Sequence, residues 1–364
     1  MDEIPQGRAR DWAPRSIALL LGTLALATAF IAAYVGALHQ PTPRDLPVGV
    51  ALGDQRAQAT LDAIRGHTTI ITPIGYDDAR AAEDALLSRA VYAVLSTGPD
   101  NGLLLAVASA SGPSATSAIR EVLTTAATRT GTPLQIVDKV PVTSSDPRGV
   151  VPFYLNVGYV LGGYLASTVL GISAGTTPRT ARRAGLRIAA LAVYSALLGI
   201  AGAVVVGPVL GIWHHHVPTI AAIGALAVFA AALFASAIQG WLGVAGTALV
   251  ILLLVVLGNP GSGGIYAPEF LPGLLRGMHR WNIPGLANDL TKAAVYFHWR
   301  SAGWPVIALT LWAVLGALGL VSASLVRGRR ASTAGPGSPR SDPGSAPDGA
   351  GSAPDGPGSA RHGG

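Results

Sequence analysis

His214, His215 and His216 form the densest run of metal-ligating side chains in this chain. Consecutive helical positions point about 100° apart, so the three cannot ligate one ion from a single helix. They could in a turn, but no acid lies nearby to orient the rings, and no metal site is expected. With no cysteine, thiolate sites and disulfides are excluded. Gly171, Ser173 and Gly175 match the spacing of a nucleophile elbow. That elbow needs a preceding strand, and here an apolar run precedes it, so the match is read as chance. The run Gly258-Asn-Pro-Gly-Ser-Gly-Gly264 lacks the Lys-Ser/Thr ending of a P-loop. Asp77, Arg80 and Asp84 share a helical face and read as solvated. No catalytic residue, cofactor or enzymatic activity is expected. Asn156, with Tyr154 and Tyr159, is the candidate substrate-binding set. Asn156 lines a cavity, caps a neighbouring helix or sits with its aromatic neighbours among lipid headgroups.

The elements that must hold these residues are membrane spans. Half of the 364 residues are hydrophobic and only 12% are charged, against roughly 25% in soluble domains. After Arg187 the next formal charge is Glu269. Six apolar runs lie at 16–38, 150–174, 188–212, 217–237, 241–257 and 303–326, most near the roughly 20 residues that cross a bilayer. The first is longer than a signal-peptide core and is read as a retained anchor. Only residues 238–240 separate the fourth run from the fifth, a tight hairpin with Gly240 at its turn. Gly207 and Pro208 should kink the third. Gly158, Gly162 and Ala166 recur every four residues in the second and suit close helix packing, within one chain or at a dimer seam.

Arginines set the orientation. Clusters precede the first run (Arg8, Arg10, Arg15), follow the second (Arg179, Arg182, Arg183, Arg187) and follow the sixth (Arg327, Arg329, Arg330). Six spans with an inside N-terminus put all three clusters on the cytoplasmic side. The net charge of +6 is thus read as a topology signal, not a nucleic-acid footprint. The fold class is a polytopic α-helical membrane protein with an α/β extracytoplasmic domain between its first two spans. Its parts are a cytoplasmic N-terminus (1–15), the first span (16–38), the outer domain (39–149), a five-helix membrane domain (150–326) with an outer loop (258–302), and a cytoplasmic tail (327–364). The tail, rich in Gly, Pro, Ser, Ala and Asp, is expected to be disordered. The outer domain reads as strands at 47–52, 68–72, 90–95, 103–108 and 134–137, with helices at 55–65, 77–89 and 113–130. In the outer loop, 270–278 and 284–297 read as short amphipathic helices at the membrane surface.

Three local motifs carry a family resemblance. Leu257-Gly-Asn-Pro-Gly-Ser-Gly-Gly264 is followed by Pro268-Glu-Phe-Leu-Pro272 and Ala294-Val-Tyr-Phe297. Val151-Pro-Phe-Tyr-Leu155 precedes Gly162, and Val107-Ala-Ser-Ala-Ser-Gly-Pro113 lies in the outer domain. With the span order, these resemble the permeases of ABC-2-type exporters, closest to the YhgE/Pip-like branch. The resemblance implies a bacterial plasma-membrane exporter subunit driven by a separate ATP-binding cassette ATPase, working as a homodimer or paired permease. Neither Lys139 nor Lys292, the chain's two lysines, sits in a Walker A sequence. The basic loop with Arg179, Arg182, Arg183 and Arg187 would dock such an ATPase, or simply contact lipid phosphates. Uncharged spans suit an apolar or amphipathic cargo. The alternative is a non-transporting envelope protein whose outer domain binds a partner or surface component.

Overall fold

A computed structural model describes residues 9–333. The expectations for residues 1–8 and 334–364 lie outside that range. Five helical stretches are long and apolar enough to cross a membrane: Ser16–Leu38, Val151–Ala174, Ala181–Val209, His214–Leu242 and Gly303–Arg327. The first belongs to helix α1 (Ala9–Leu38). Leu20, Leu24, Ile172, Leu197, Ile307 and Leu318 are exposed on these helices. Apolar belts of that extent are not stable in water, and lipid is their natural solvent. The chain is a polytopic membrane protein with a small sheet domain.

The sheet domain follows α1. Its strands are β1 (Leu46–Ala51), β2 (Ile71–Tyr76), β3 (Ala93–Thr97), β4 (Leu103–Val107) and β5 (Leu134–Asp138). Their order is β2-β1-β3-β4-β5, with only β3 and β4 antiparallel. Helices α2 (Gln55–Arg65), α3 (Ala79–Leu87) and α4 (Pro113–Thr130) connect them. Asp54 and Asp78 cap α2 and α3 by accepting from Ala57 N and Ala81 N. β2 begins and ends later than its apolar signal; it is an edge strand, where Pro73 and Gly75 are tolerated. Leu46, Val48, Leu61, Leu95, Leu105, Ile119 and Leu123 fill the core.

The bundle is built around one helix. α5 (Val151–Ala174), α6 (Ala181–Val204) and α11 (Gly303–Thr333) all pack against α7 (Val217–Leu242). Gly163, Gly199 and Gly316, one from each neighbour, bring backbone against α7 so closely that a methyl group would collide. Asp146, almost fully buried, starts α5 by accepting from Val150 N and Val151 N, both at 3.0 Å. α6 passes into a π-helical turn, Val205–Val209, that contains Pro208. A proline without an N–H is accommodated by that wider turn.

Several boundaries differ from the sequence reading, α1 being helical already at Ala9 among them, and two concern the ends of bundle helices. α7 runs through Gly240 to Leu242, and the turn falls at Gly243 (φ +63°, ψ −135°), a backbone state open essentially to glycine. Beyond it lies α8 (Val244–Val250), extended by the π-helical turns Ile251–Leu257. Ala245–Leu257 is apolar but shorter than the other five stretches. At 1.5 Å per residue it covers about 20 Å of the ~30 Å hydrocarbon core. Tyr34 donates to Val255 O at 3.4 Å, and Ala37 packs near Leu257. The second boundary is α11, which continues past Val326 to Thr333.

Candidate functional site

The segment between α8 and α11 folds back onto the sheet domain. It holds the short helix α9 (Gly273–Met278) and the longer α10 (Ile283–Tyr296). Ala267 and Phe270 enter the sheet-domain core, and Phe297 packs with Ala82, Leu86 and Val91. Arg44 N donates to Glu269 O, and Arg300 pairs with Asp84 at 3.2 Å. α10 is buried along nearly its whole length, wedged between the sheet domain and α5, α7 and α11. It is an internal helix, whereas its apolar stripe alone suggests a surface-lying one. The difference is the sheet domain, which covers the polar side that the stripe leaves over.

That fold-back encloses a cleft of about 690 Å³. Its wall comes from Arg89 and Tyr92 after α3, Glu269 and Arg276 around α9, His279 and Arg280 just beyond it, and Asp289 and Lys292 on α10. Asp289 is the hub. It takes Arg89 Nη2 at 2.6 Å and His279 Nε2 at 3.0 Å, while its backbone carbonyl takes Arg89 Nη1 at 3.1 Å. Burial alone raises a carboxyl pKa, but the Arg89 charge and His279 outweigh it and hold Asp289 well below the usual carboxylate range. Tyr92 donates to Glu269 Oε2 at 2.8 Å, and burial beside that carboxylate keeps its phenol protonated.

Lys292 is 3% exposed. Its ammonium reaches one carbonyl, Ser111 O, at 3.3 Å. Burial, helped by the neighbouring Arg89 charge and opposed by Asp289 and Asp146, lowers its pKa to about 8. His279 leaves Nδ1 buried without a partner. Its ring lies against Gly263, whose φ of +66° is one that a side chain rarely permits. Asn282 ties the same glycine turn to α10, donating to Gly261 O at 3.0 Å and capping Gly285 N. The glycine run is therefore a seat for His279 and α10.

The sequence-derived candidates lie elsewhere. Tyr154 is exposed on α5. Asn156 is buried and donates to Pro152 O and to Thr291 Oγ1 of α10 at 3.0 Å. Tyr159 is buried between Gly202 and Gly224 and donates to Gly199 O. The three do not converge on one cavity. Gly158 is exposed with open space around it, Gly162 lies against Leu198 of α6, and Ala166 packs on the bundle core. Ser173 is exposed in the last turn of α5. His214–His216 form a short 3-10 turn. Among the described residues, no group of three His, Cys, Asp or Glu side chains is placed to hold a metal.

At the other end of the bundle, Arg179, Arg182 and Arg183 are exposed. Arg187 is buried and donates to the carbonyls of Leu170, Thr176 and Gly175 at 2.6–3.0 Å, closing the end of α5. A cavity of about 1110 Å³ opens there, lined by Thr177, Pro178, Arg179, Arg183, Arg187 and Arg327. Arg327 donates to Thr177 Oγ1 at 2.7 Å and to Trp241 O at 2.9 Å. Just inside, Gln239 joins Ser167 and Thr168 of α5 to Thr247 of α8.

Sequence reasoning passed over Asp289, His279 and Arg89. One signal was available: Lys292 and Asp289 lie three apart on a helix whose other residues are nearly all apolar. Comparison with protein-family models, curated proteins and solved structures gives no match.

Proposed function

We propose that this chain is the permease subunit of an ABC-2-type exporter, moving an apolar or amphipathic compound outward with energy from a separate ATPase. The observation that carries this reading is the basic socket opposite the sheet domain. Arg179, Arg182 and Arg183 project freely beside a cavity held open by the Arg187 and Arg327 contacts. A socket of that size and charge suits a docking element with acidic residues. The five long apolar stretches contain no Asp, Glu or Lys, so a carboxylate proton relay is not built into them. In this reading the sheet domain is extracytoplasmic, both termini are cytoplasmic, and 241–257 is a sixth span. Packing of its outer end on α1 supports that role. The subunit works as a dimer in a bacterial plasma membrane.

Replacing Arg179, Arg182 and Arg183 by Glu tests the docking role. Copurification of an ATPase in mild detergent should be abolished. Retained copurification, with Arg187 intact and topology unchanged, would reject it. A reporter active only outside the cytoplasm should work at Ser111 and fail at Ser345. A second reading, an envelope protein that binds a surface component, is favoured by the charged cleft beneath the sheet domain.

A further inference from the structure

The cleft has an imbalance between its acids and its bases. Both carboxylates that line it have partners: Asp289 holds Arg89 and His279, and Glu269 accepts from Tyr92. Four basic side chains, Arg89, Arg276, Arg280 and Lys292, line it with those two acids. Among the described residues, neither Lys292 nor Arg280 has a carboxylate within ion-pair distance. Arg276 has only a long approach, 3.6 Å, to the exposed Asp45. Lys292, buried, carries three donors and places one of them. A buried ammonium with unused donors is costly, and beside Arg276 and Arg280 it marks a place where an acceptor-rich anion fits.

The mouth of the cleft indicates where that anion resides. Trp304 and Pro305 line it at the first turn of α11. Trp281 and Trp304 meet edge-on at 4.8 Å, and both are exposed, as are Trp299 and Leu274 nearby. Indoles with one wet and one apolar side mark the headgroup level of a bilayer. A charged pocket thus opens at the depth of lipid phosphates on the sheet-domain side.

We infer that this cleft binds a phosphate group carried by an amphiphile of that leaflet, with Lys292, Arg276 and Arg280 contacting the phosphate oxygens and Trp281 and Trp304 flanking the chains. Binding there requires no ATPase, so its outcome is separate from that of the copurification experiment.

The test uses the full chain in mild detergent and measures binding by native mass spectrometry and thermal shift. The probes are dioleoyl phosphatidic acid, diacylglycerol with the same chains, and inorganic phosphate. Phosphatidic acid should bind at least about tenfold more tightly than diacylglycerol, the scale of one or two charge-assisted hydrogen bonds. Inorganic phosphate should compete, but only at much higher concentration. Lys292→Gln should weaken phosphatidic acid binding about tenfold. Arg280→Gln, at an exposed position where folding is not at stake, should weaken it severalfold. Equal binding of phosphatidic acid and diacylglycerol would overturn the phosphate site. Phosphate as tight as phosphatidic acid would overturn the lipid assignment. A folded Lys292→Gln and Arg280→Gln pair with unchanged affinity would overturn the residue assignment.

Discussion

Removing the Asp289 carboxylate should loosen the joint between the sheet domain and the bundle. The Arg89 and Asp289 side chains are 13% and 21% exposed, and His279 is 11% exposed. Breaking a buried pair from one side costs about 3–5 kcal/mol, because the remaining charge keeps its desolvation penalty. A fifth of the Asp289 side chain still meets solvent, so Asp289→Asn should sit near the low end, about 3 kcal/mol. Arg89→Met should cost less, about 2 kcal/mol, because Asp289 keeps His279 as a partner. The double variant should cost less than the sum, with a coupling of about 1–2 kcal/mol. Read as the midpoint of thermal unfolding in detergent, Asp289→Asn should fall by roughly 5–10 °C.

Two further readouts give the prediction its specificity. Hydrogen exchange should rise in Ser88–Tyr92 and along α10, and stay unchanged in α2, whose Ala57, Leu61 and Ile64 belong to a different core cluster from α3 and Phe297. The pH dependence should change as well. Asp289 is held below its unfolded pKa, so its contribution is full above the ordinary carboxylate range and fades as pH falls through and below it. Asp289→Asn should flatten the acid limb of the stability profile. Additive single substitutions, each under about 1 kcal/mol, would place the pair among surface ion pairs and refute the joint.

Gly163→Ala should destabilise the bundle by roughly 1–3 kcal/mol, because its methyl would meet Val228 O at 2.6 Å and Ala231 Cβ at 3.0 Å. Gly158→Ala, with nothing within 4 Å, should be neutral or slightly stabilising, and thermal midpoints in detergent compare the two. Lys292→Met should raise stability at pH 7 by up to about 3 kcal/mol, the scale of moving an ammonium pKa from 10.5 to about 8. Between those values the unfolded chain binds a proton that the folded one does not, so wild-type stability should climb from pH 8 to 10. Arg89, Asp289 and Asp146 are the charged groups that act on this ammonium. The Lys292→Met profile should be flat there. Arg187→Met should expose three carbonyls at the end of α5 and lower the midpoint, whereas Arg183→Glu should leave it unchanged.

Much of the sheet domain was legible because its strands and helices alternate within short distances. Leu46–Ala51, Leu103–Val107 and Leu134–Asp138 fall close to their apolar runs, and Gln55–Arg65 and Pro113–Thr130 carry their own caps and breakers. The spans were legible through missing charge. The α7 to α8 turn was misplaced because Gly240 and Gly243 look alike in sequence. What separates them is packing: Gly240 lies against Ala323 of α11, while Gly243 faces open space and is free to turn. The cleft was not legible, because Arg89 and Asp289 are 200 positions apart. Each reads as an ordinary surface charge until the 258–302 segment folds back. Asn156 stood out as a polar residue in a span, but its partner, Thr291, lies in that same fold-back segment.

The position of α10 makes the cleft mechanically relevant to the spans. Asp289 and Lys292 lie on the side of α10 toward the sheet domain, through Arg89 and Ser111. Thr291 and Ala287, on the same helix, touch α5 and the α7 core through Asn156, Tyr159 and Val228. α10 has only 14 residues, and a rotation or axial shift of a stiff helix that short moves both sets of contacts together. Asn288 Oδ1 and Nδ2 and Asn156 Oδ1 are buried without partners along this seam. The seam therefore has unmet hydrogen-bonding capacity that a second arrangement of α10 could satisfy, which lowers the cost of leaving the present one. An anion taking the unused donors of Lys292 would share the ammonium with Ser111 O, and so act on a contact that ties α10 to the sheet domain. Ligation in the cleft would thereby be coupled to helix packing around α7 through one element, α10.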